Sequence, residues 1–389
     1  MNDKKPFIYV DHAATTRISD SVRAAMEPYL TTAFGNASAA YGAGRAASRA
    51  ILAARRRIAS VLGCLPKEIY FTSGGTESDN WAIKGTAFAH RLQGHIACSA
   101  IEHHAVLHSM RFVGQMGMQT SVIPANAEGI VTPDAVDAAM RDDTHLAAVM
   151  LANNEIGTVQ PIPDIADTVH EHGAVLLCDA VQGMGQIPVD IPTLGADMLA
   201  LSGHKIGAPK GIGLLYVREG TPLLPLLDGG GQEMHLRAGT ENTAAIVGLA
   251  QAIEEAAQLP AVDHLRHLQK QLFDGLRAIP GCVVNGTTET DHRLPGNVNV
   301  SFPGLDAESL VLHLDRLGIC CSAASACTAG VSEPSHVLLA IGRDRAAATA
   351  SLRFSLGAEN TGEEMDAIIC GVRRIVTQLY ETQCTFRGI

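Results

Sequence analysis

The chain has 389 residues, 47% hydrophobic and 18% charged, which is enough apolar material for two domains, or one large domain with a satellite, and rules out a disordered chain. A formal net charge of −11 leaves no overall basic footprint for direct nucleic-acid binding. There is no run of roughly 18 apolar residues to span a membrane and no apolar stretch after Lys4 and Lys5, and the nine cysteines are scattered without Cys-x-x-Cys spacing; together these argue against a membrane, secretory, disulfide or zinc-site role and for a reducing cytoplasm.

Ala46 to Leu62 carries apolar residues at helical spacing and stops at Gly63; Arg45, Arg49, Arg55, Arg56 and Arg57 read as its solvated face. Ile69 to Thr72 reads as a strand and Glu77 to Ala89 as a helix. Further strands are expected at His95 to Cys98, Leu146 to Leu151, Val175 to Cys178, Met198 to Leu201 and Leu214 to Val217, with helices such as Pro163 to Glu171 between them. This alternation is the α/β signature. A glycine-rich stretch, Asp228 to Gly231, precedes a long helix, Thr243 to Gln258, and Leu259-Pro260 marks a boundary. Beyond it the pattern changes to a smaller α+β unit. Its helices are expected at Ala261 to Arg277, Asp306 to Leu317 and Glu363 to Leu379, and its strands at Cys282 to Val284 and Asn297 to Phe302.

Two strands end in chemistry. The apolar run Ala174 to Cys178 ends in Asp179, and Ala196 to Leu201 leads into Ser202-Gly203-His204-Lys205. Ligands of open α/β sheets settle at the carboxyl ends of the strands. A carboxylate and a lysine there suit a cofactor with a basic ring nitrogen and an aldehyde, as in pyridoxal phosphate, with Ser202 and His204 left to hold a third group. The competing reading is two polar residues in ordinary βα loops. Thr72-Ser73-Gly74-Gly75-Thr76-Glu77 joins a strand to a helix, so Gly75 and Thr76 could receive a phosphate at a helix N-terminus, although plain helix capping explains the same residues. His103 could lie over a planar ring and move protons. His104 and His108 share helical spacing but lack a third ligand, which disfavours a metal. Asn154 could donate to a cofactor or to a substrate carboxylate, and Arg353, in a strand-like context, requires either a substrate carboxylate or a structural ion pair. Ser322 to Gly330 is a run of small residues carrying Cys327, read as a mobile loop with an exposed thiol or as a small-residue turn.

In chain order, the motifs Asp11-His12-Ala13-Ala14-Thr15-Thr16, Phe34-Gly35-Asn36, Thr76-Glu77-Ser78-Asp79-Asn80, Glu102-His103, Asn153 to Gly157, Asp179-Ala180-Val181-Gln182, Ser202 to Lys205, Arg237-Ala238-Gly239-Thr240, Ser325 to Thr328 and Glu333 to Val337 resemble the cysteine desulfurases of the NifS/IscS group. These are class V aminotransferase relatives of pyridoxal-phosphate fold type I, and the resemblance covers nearly the whole chain. It implies a large domain, residues 15–258, with a mainly parallel seven-stranded sheet between helices. It also implies a smaller α+β domain, residues 1–14 and 259–389, carrying the Cys327 loop.

The resemblance assigns roles as well. Lys205 would hold the aldehyde, Asp179 would keep the ring nitrogen protonated, Gln182 would bond the ring hydroxyl, and His103 would stack on the ring. Gly75, Thr76, Ser202 and His204 would cradle the phosphate, and Thr240 would reach the phosphate of a partner subunit, which implies a homodimer. Asn154 and Arg353 would fix the carboxylate of L-cysteine. Cys327 would take its sulfur as a persulfide, releasing L-alanine, and would pass that sulfur to an acceptor protein, foremost a scaffold for iron–sulfur cluster assembly or nitrogenase maturation. There is no intrinsic metal site in this picture; the Cys327 persulfide would be a transient iron–sulfur ligand. Alternative clients are tRNA thiolation, DNA phosphorothioation and selenocysteine cleavage. A non-catalytic homologue that only binds partners is disfavoured by the intact Lys205, Asp179, His103 and Cys327. The chain departs from the group at Ala323, Ala324 and Ala329, where a serine, a glycine and a serine are usual, and near Phe34-Gly35-Asn36, where it has Ala37, Ser38 and Tyr41.

Overall fold

The computed structural model describes residues 7–323, 327–328, 331–332 and 334–387, without the side chains of 327, 328, 331, 332 and 384–387. Along the chain run β1 (Ile8–Tyr9), α1 (Asp20–Thr31), α2 (Gly42–Leu62), β2 (Ile69–Thr72), α3 (Gly75–Ala89), β3 (His95–Ser99), α4 (His104–Gln115) and β4 (Gln119–Ile123). Next come α5 (Pro133–Ala139), β5 (Thr144–Ala148), α6 (Ile162–Glu171), β6 (Val175–Asp179), α7 (Ile191–Leu194), β7 (Met198–Ser202), β8 (Gly213–Val217) and α8 (Thr243–Ala256). Strands β2 to β8 form one seven-stranded sheet in the order β2-β8-β7-β6-β5-β3-β4, parallel throughout except that β8 runs against both its neighbours. Strands covered on both faces carry continuous apolar runs, and β6 and β7 read Val-Leu-Leu-Cys-Asp and Met-Leu-Ala-Leu-Ser. One face is closed by the cluster containing Ile58, Leu62, Leu176, Leu199 and Leu249, the other by Trp81, Ile83, Val106, Leu177 and Leu215.

The rest of the chain builds α9 (Val262–Arg277), β9 (Val283–Val284), β10 (Asn297–Ser301), α10 (Ala307–Asp315), β11 (Ile319–Cys320), β12 (Ser322–Ala323), β13 (Cys327–Thr328) and β14 (Val331–Ser332). It closes with α11 (His336–Ala340), α12 (Arg345–Ala348), β15 (Ser351–Ser355) and α13 (Gly362–Arg387). A four-stranded antiparallel sheet, β12-β15-β10-β9, shares a separate core with α9, α10 and α13, including Leu268, Leu272, Val300, Leu314, Phe354 and Ile368. Strand β1 leaves the N-terminus to pair with β11, so the two ends of the chain meet in this second core. No helix among the described residues is long and apolar enough to cross a membrane.

Two expectations are corrected. Arg55 is not on a solvated face: it is buried, its guanidinium sits 4.6 Å over the Phe71 ring, and its Nη2 donates to Glu233 at 2.8 Å. A long arginine on the inner stripe of α2 is affordable only because Glu233 supplies a buried counter-charge. The strand expected to reach Leu151 stops at Ala148 as a ladder. Its backbone nevertheless stays bonded to β6, Val149 N–H to the Leu177 carbonyl at 3.0 Å and Leu151 N–H to the Asp179 carbonyl at 2.9 Å. That extension carries the following turn, Asn153 to Gly157, to the same sheet edge as Asp179.

Candidate active site

Above the carboxyl ends of β6 and β7 lies a cavity of about 550 Å³. Its walls include Gly75, Thr76, His103, Asn154, Asp179, Gln182, Ser202, His204, Lys205 and Arg353. Ten expected site residues, drawn from both sheets, therefore face one space. Thr240 does not: it is exposed and lies with Arg237 in an adjoining cavity of about 150 Å³ that shares Ser73 and Gly211 with the larger one. For Cys327 the backbone pairs with Ser332 in a two-residue hairpin ladder; its side chain, and Ala324, Ser325, Ala326, Ala329, Gly330 and Glu333, lie outside the described residues.

Each wall has a local cause. Asp179 is the last residue of β6, and its Oδ1 accepts from the Val181 N–H at 2.9 Å, which orients the carboxylate as the chain turns. Burial pushes its acid up to about 6, against the pull of that N–H and of Lys205. Lys205 follows β7 on a single turn of 3₁₀ helix, and its Nζ donates to the carbonyls of Ala13 and Ala14. Burial first, then the Arg353 guanidinium, brings the amine down to about 8, with Asp11 and Asp179 opposing. Near neutral pH a useful fraction is therefore the free, nucleophilic amine. His103 caps α4, its Nδ1 accepting from the Ala105 N–H at 3.1 Å, so the neutral ring carries its proton on Nε2. Burial and the nearby Lys205 ammonium lower it to about 4. Gln182 donates from Nε2 to the Ala13 carbonyl at 3.0 Å, which leaves Oε1 as its remaining acceptor.

The loop before α3 is held open for a ligand. Gly74 has φ of +151° and opens directly into the N-terminus of α3, where a Cβ on Gly75 would sit 2.8 Å from Val181 Cγ2. Gly213 lets β8 approach beneath it: a Cβ there would lie 2.6 Å from Gly74 Cα. Glu77 ties the loop down, accepting from the Ser73 N–H at 2.7 Å and from Arg237 Nε and Nη2 at 2.8 and 3.1 Å.

Arg353 on β15 donates to the Asn154 carbonyl at 3.1 Å and pairs with Asp11 at 2.9 Å, while its buried Nε has no partner. The ion pair anticipated as one of two readings is thus present, and it holds the guanidinium at the cavity wall. Asp11 Oδ2 also accepts from Ser322 on β12 at 2.8 Å. Asp11, Glu77 and Asp79 stand in the motifs quoted above without a role of their own, and Lys210 was not singled out from the sequence. Of these, Asp79 had a signal: it shares the helical spacing of the buried Ile83 and Thr86.

A model of the class V aminotransferases matches residues 8–368. The chain belongs to the class V aminotransferase family. Within it the chain is 47% identical, over 96% of its own length and 92% of the relative's, to the cysteine desulfurase IscS of Methanosarcina thermophila. A solved NifS-like protein superposes with a TM-score of 0.89 at 36% identity, covering 96% of this chain and all of the other. SspA, solved in complex with cysteine, superposes with a TM-score of 0.80 at 37% identity, covering 91% and 100%. This class V aminotransferase is accordingly a pyridoxal-phosphate enzyme of the cysteine desulfurase type.

The residues present fit that cofactor. Lys205 offers a partly deprotonated amine to an aldehyde and Asp179 an oriented carboxylate to a ring nitrogen. The bare N-terminus of α3, whose Gly75 leaves no room for a Cβ, suits a phosphate. Ser202 lies beside it, and His204, lowered to about 4 by burial and by Lys205 and Lys210 and so neutral, lines the same cavity.

Proposed function

We propose that the enzyme converts L-cysteine to L-alanine, leaves the sulfur as a persulfide on Cys327, and passes it to an acceptor protein that assembles iron–sulfur clusters. The observation that carries this reading is the single cavity joining Lys205, Asp179, His103 and Arg353. The SspA relative solved with cysteine, and the IscS name of the Methanosarcina relative, support the substrate and the direction of sulfur flow.

Bound pyridoxal phosphate supplies an electron sink that lets the C–S bond of the substrate break. Everything else falls to the chain. Lys205 holds the aldehyde, and Asp179 keeps the ring nitrogen protonated. Thr76, Ser202, His204 and the α3 N-terminus bind the phosphate, and Gln182 bonds the ring hydroxyl. His103, its proton on Nε2, would give and take a proton at the bound cofactor. Arg353 and Asn154 orient the substrate carboxylate. The Cys327 thiolate takes the sulfur, forming one S–S bond as the substrate's C–S bond breaks, and the departing three-carbon unit leaves as alanine once protonated. Residues 15–258 make up the cofactor-binding domain, and 1–14 with 259–389 the smaller one. Two copies form a cytoplasmic homodimer in which Thr240 completes the partner's phosphate site.

The test is stoichiometric. Purified enzyme with L-cysteine and a thiol reductant is expected to yield alanine and sulfide one to one. Cys327→Ser keeps the visible absorbance of bound cofactor and loses sulfide release, whereas Lys205→Ala loses the absorbance. Full turnover in Cys327→Ser would refute the assignment of the nucleophile.

A further inference from the structure

A separate cleft of about 520 Å³ lies in the second core, between α9 and the turn that leads into β10, and it shares no lining residue with the Lys205 cavity. In a chain of net charge −11 its wall is basic: Arg266, Lys270, Arg277 and Arg293 all line it. The first three come from α9 at spacings of four and seven residues, which set them on one stripe of the helix. Among the described residues the wall carries one carboxylate, Asp274, and that is spent on Lys270 at 2.5 Å.

Arg293 is the decisive member. It is 2% exposed and its guanidinium sits 4.8 Å over the Phe273 ring, which also carries the Arg277 guanidinium at 5.2 Å. Its Nε donates to the Asn297 carbonyl at 3.2 Å, and its Nη1 to the carbonyls of Asn285 and Thr287 at 2.9 and 2.6 Å. Its Nη2 donates to Asn297 Oδ1 at 3.0 Å. A guanidinium has five N–H groups, so one on Nη2 is left without a partner among the described residues. Every acceptor is neutral. The charged group acting on Arg293 is Arg277, a second cation, which adds to burial in lowering it to about 9. Carbonyls thus satisfy its hydrogen bonds but not its charge, and a buried charge without a counter-charge is costly. An anion in the adjoining cleft removes that cost and takes up the unspent N–H.

We infer that this cleft is a binding site for a small molecule bearing phosphate groups, held between the buried Arg293 and the basic stripe of α9. Guanidinium forks match phosphate oxygens two at a time, and three arginines beside one another call for more than a single negative charge. A phosphorylated molecule carries that charge, and the cleft has room for more than one phosphate group.

The experiment is calorimetric titration of the pyridoxal-phosphate-loaded enzyme with inorganic pyrophosphate at constant ionic strength. Bound cofactor fills the phosphate cradle at α3, so the titration reports other sites. Saturable binding is expected, weakened about tenfold in Arg277→Gln and in Arg266→Gln by the loss of a charge-assisted bond. Arg56→Gln, which removes an exposed arginine of α2, leaves it unchanged. Arg277 is exposed and Arg266 half-buried, so their variants leave the core intact; should one fail to fold, the other decides. Absence of saturable binding overturns the inference. So does equal weakening in all three variants, or no weakening in Arg277→Gln and Arg266→Gln. Citrate binding more tightly than pyrophosphate would overturn the assignment to phosphate.

Discussion

Replacing Glu77 by Gln isolates what the Glu77–Arg237 pair contributes. The two side chains are 12% and 20% exposed and meet through two bonds of 2.8 and 3.1 Å, and Glu77 also accepts from the Ser73 N–H. Breaking a fully buried pair costs about 3–5 kcal/mol; because both partners keep some solvent and glutamine keeps an acceptor, about 1–3 kcal/mol is expected here. The pair anchors the loop Ser73 to Gly75 that leads into α3, so part of the loss should appear in cofactor binding rather than in global stability. If about 1.4 kcal/mol does, the dissociation constant for pyridoxal phosphate rises tenfold. The chain's one tryptophan, Trp81, lies buried on α3 and donates to the Leu224 carbonyl, which makes its fluorescence a reporter of cofactor loading. The pair also has a pH signature. Burial alone would raise the Glu77 acid, but the bonds from Arg237 and Ser73 prevail and its pKa is lowered. Its stabilisation is therefore complete above the unfolded value, about pH 4.3, and is lost as the pH falls below it. Glu77→Gln should flatten that acid limb. Cofactor affinity within twofold of the natural enzyme, or effects of Glu77→Gln and Arg237→Gln that simply add, would refute the coupling.

Two further outcomes are expected. Gly213→Ala places a Cβ 2.5 Å from the Leu201 carbonyl oxygen and 2.6 Å from Gly74 Cα, so backbone must move; a loss of about 1–3 kcal/mol by urea unfolding, with weaker cofactor binding, is predicted, and an unchanged urea midpoint would count against the tight β8 contact. His103→Gln should make the rise of melting temperature between about pH 4 and 6.5 shallower, because a histidine lowered to about 4 in the fold takes up its proton first in the unfolded chain and so costs stability as the pH drops; an identical slope would show that His103 is not so shifted.

The main sheet was legible because its central strands are covered on both faces and so are written as unbroken apolar runs ending in the polar residues of the site. Strand β4, Gln-Thr-Ser-Val-Ile, escaped because it is an edge strand whose first four residues are not buried, leaving no apolar pattern to read. Arg55 was misread for the opposite reason: the periodicity of α2 places it on the inner stripe, but its charge suggests solvent, and only the fold brings Glu233 to it. The individual residues that line the cavity were expected from motif order. Their ties were not, since Arg353–Asp11 and Glu77–Arg237 join positions 342 and 160 residues apart.

The spacing of Lys205 and Arg353, one per sheet, must be fixed if a single small substrate is to reach both, and the structure fixes it with a strap rather than with the sheets themselves. On one side His12 N–H bonds the Ser355 carbonyl at 3.1 Å, Ala13 N–H the Ser355 hydroxyl at 2.8 Å, and Asp11 bonds Arg353 and Ser322. On the other, the Ala13 carbonyl takes Gln182 and Lys205, Thr16 N–H bonds the His204 carbonyl at 2.8 Å, and the Thr16 hydroxyl takes the Gly207 N–H at 2.8 Å. Six consecutive residues, Asp11 to Thr16, thus gather the Arg353 guanidinium and the lysine turn onto one short backbone. Side chains on separate cores would drift with any relative movement of those cores. Attached to the same peptide, the amine and the guanidinium move together, and the geometry a substrate meets is prepaid in main-chain hydrogen bonds.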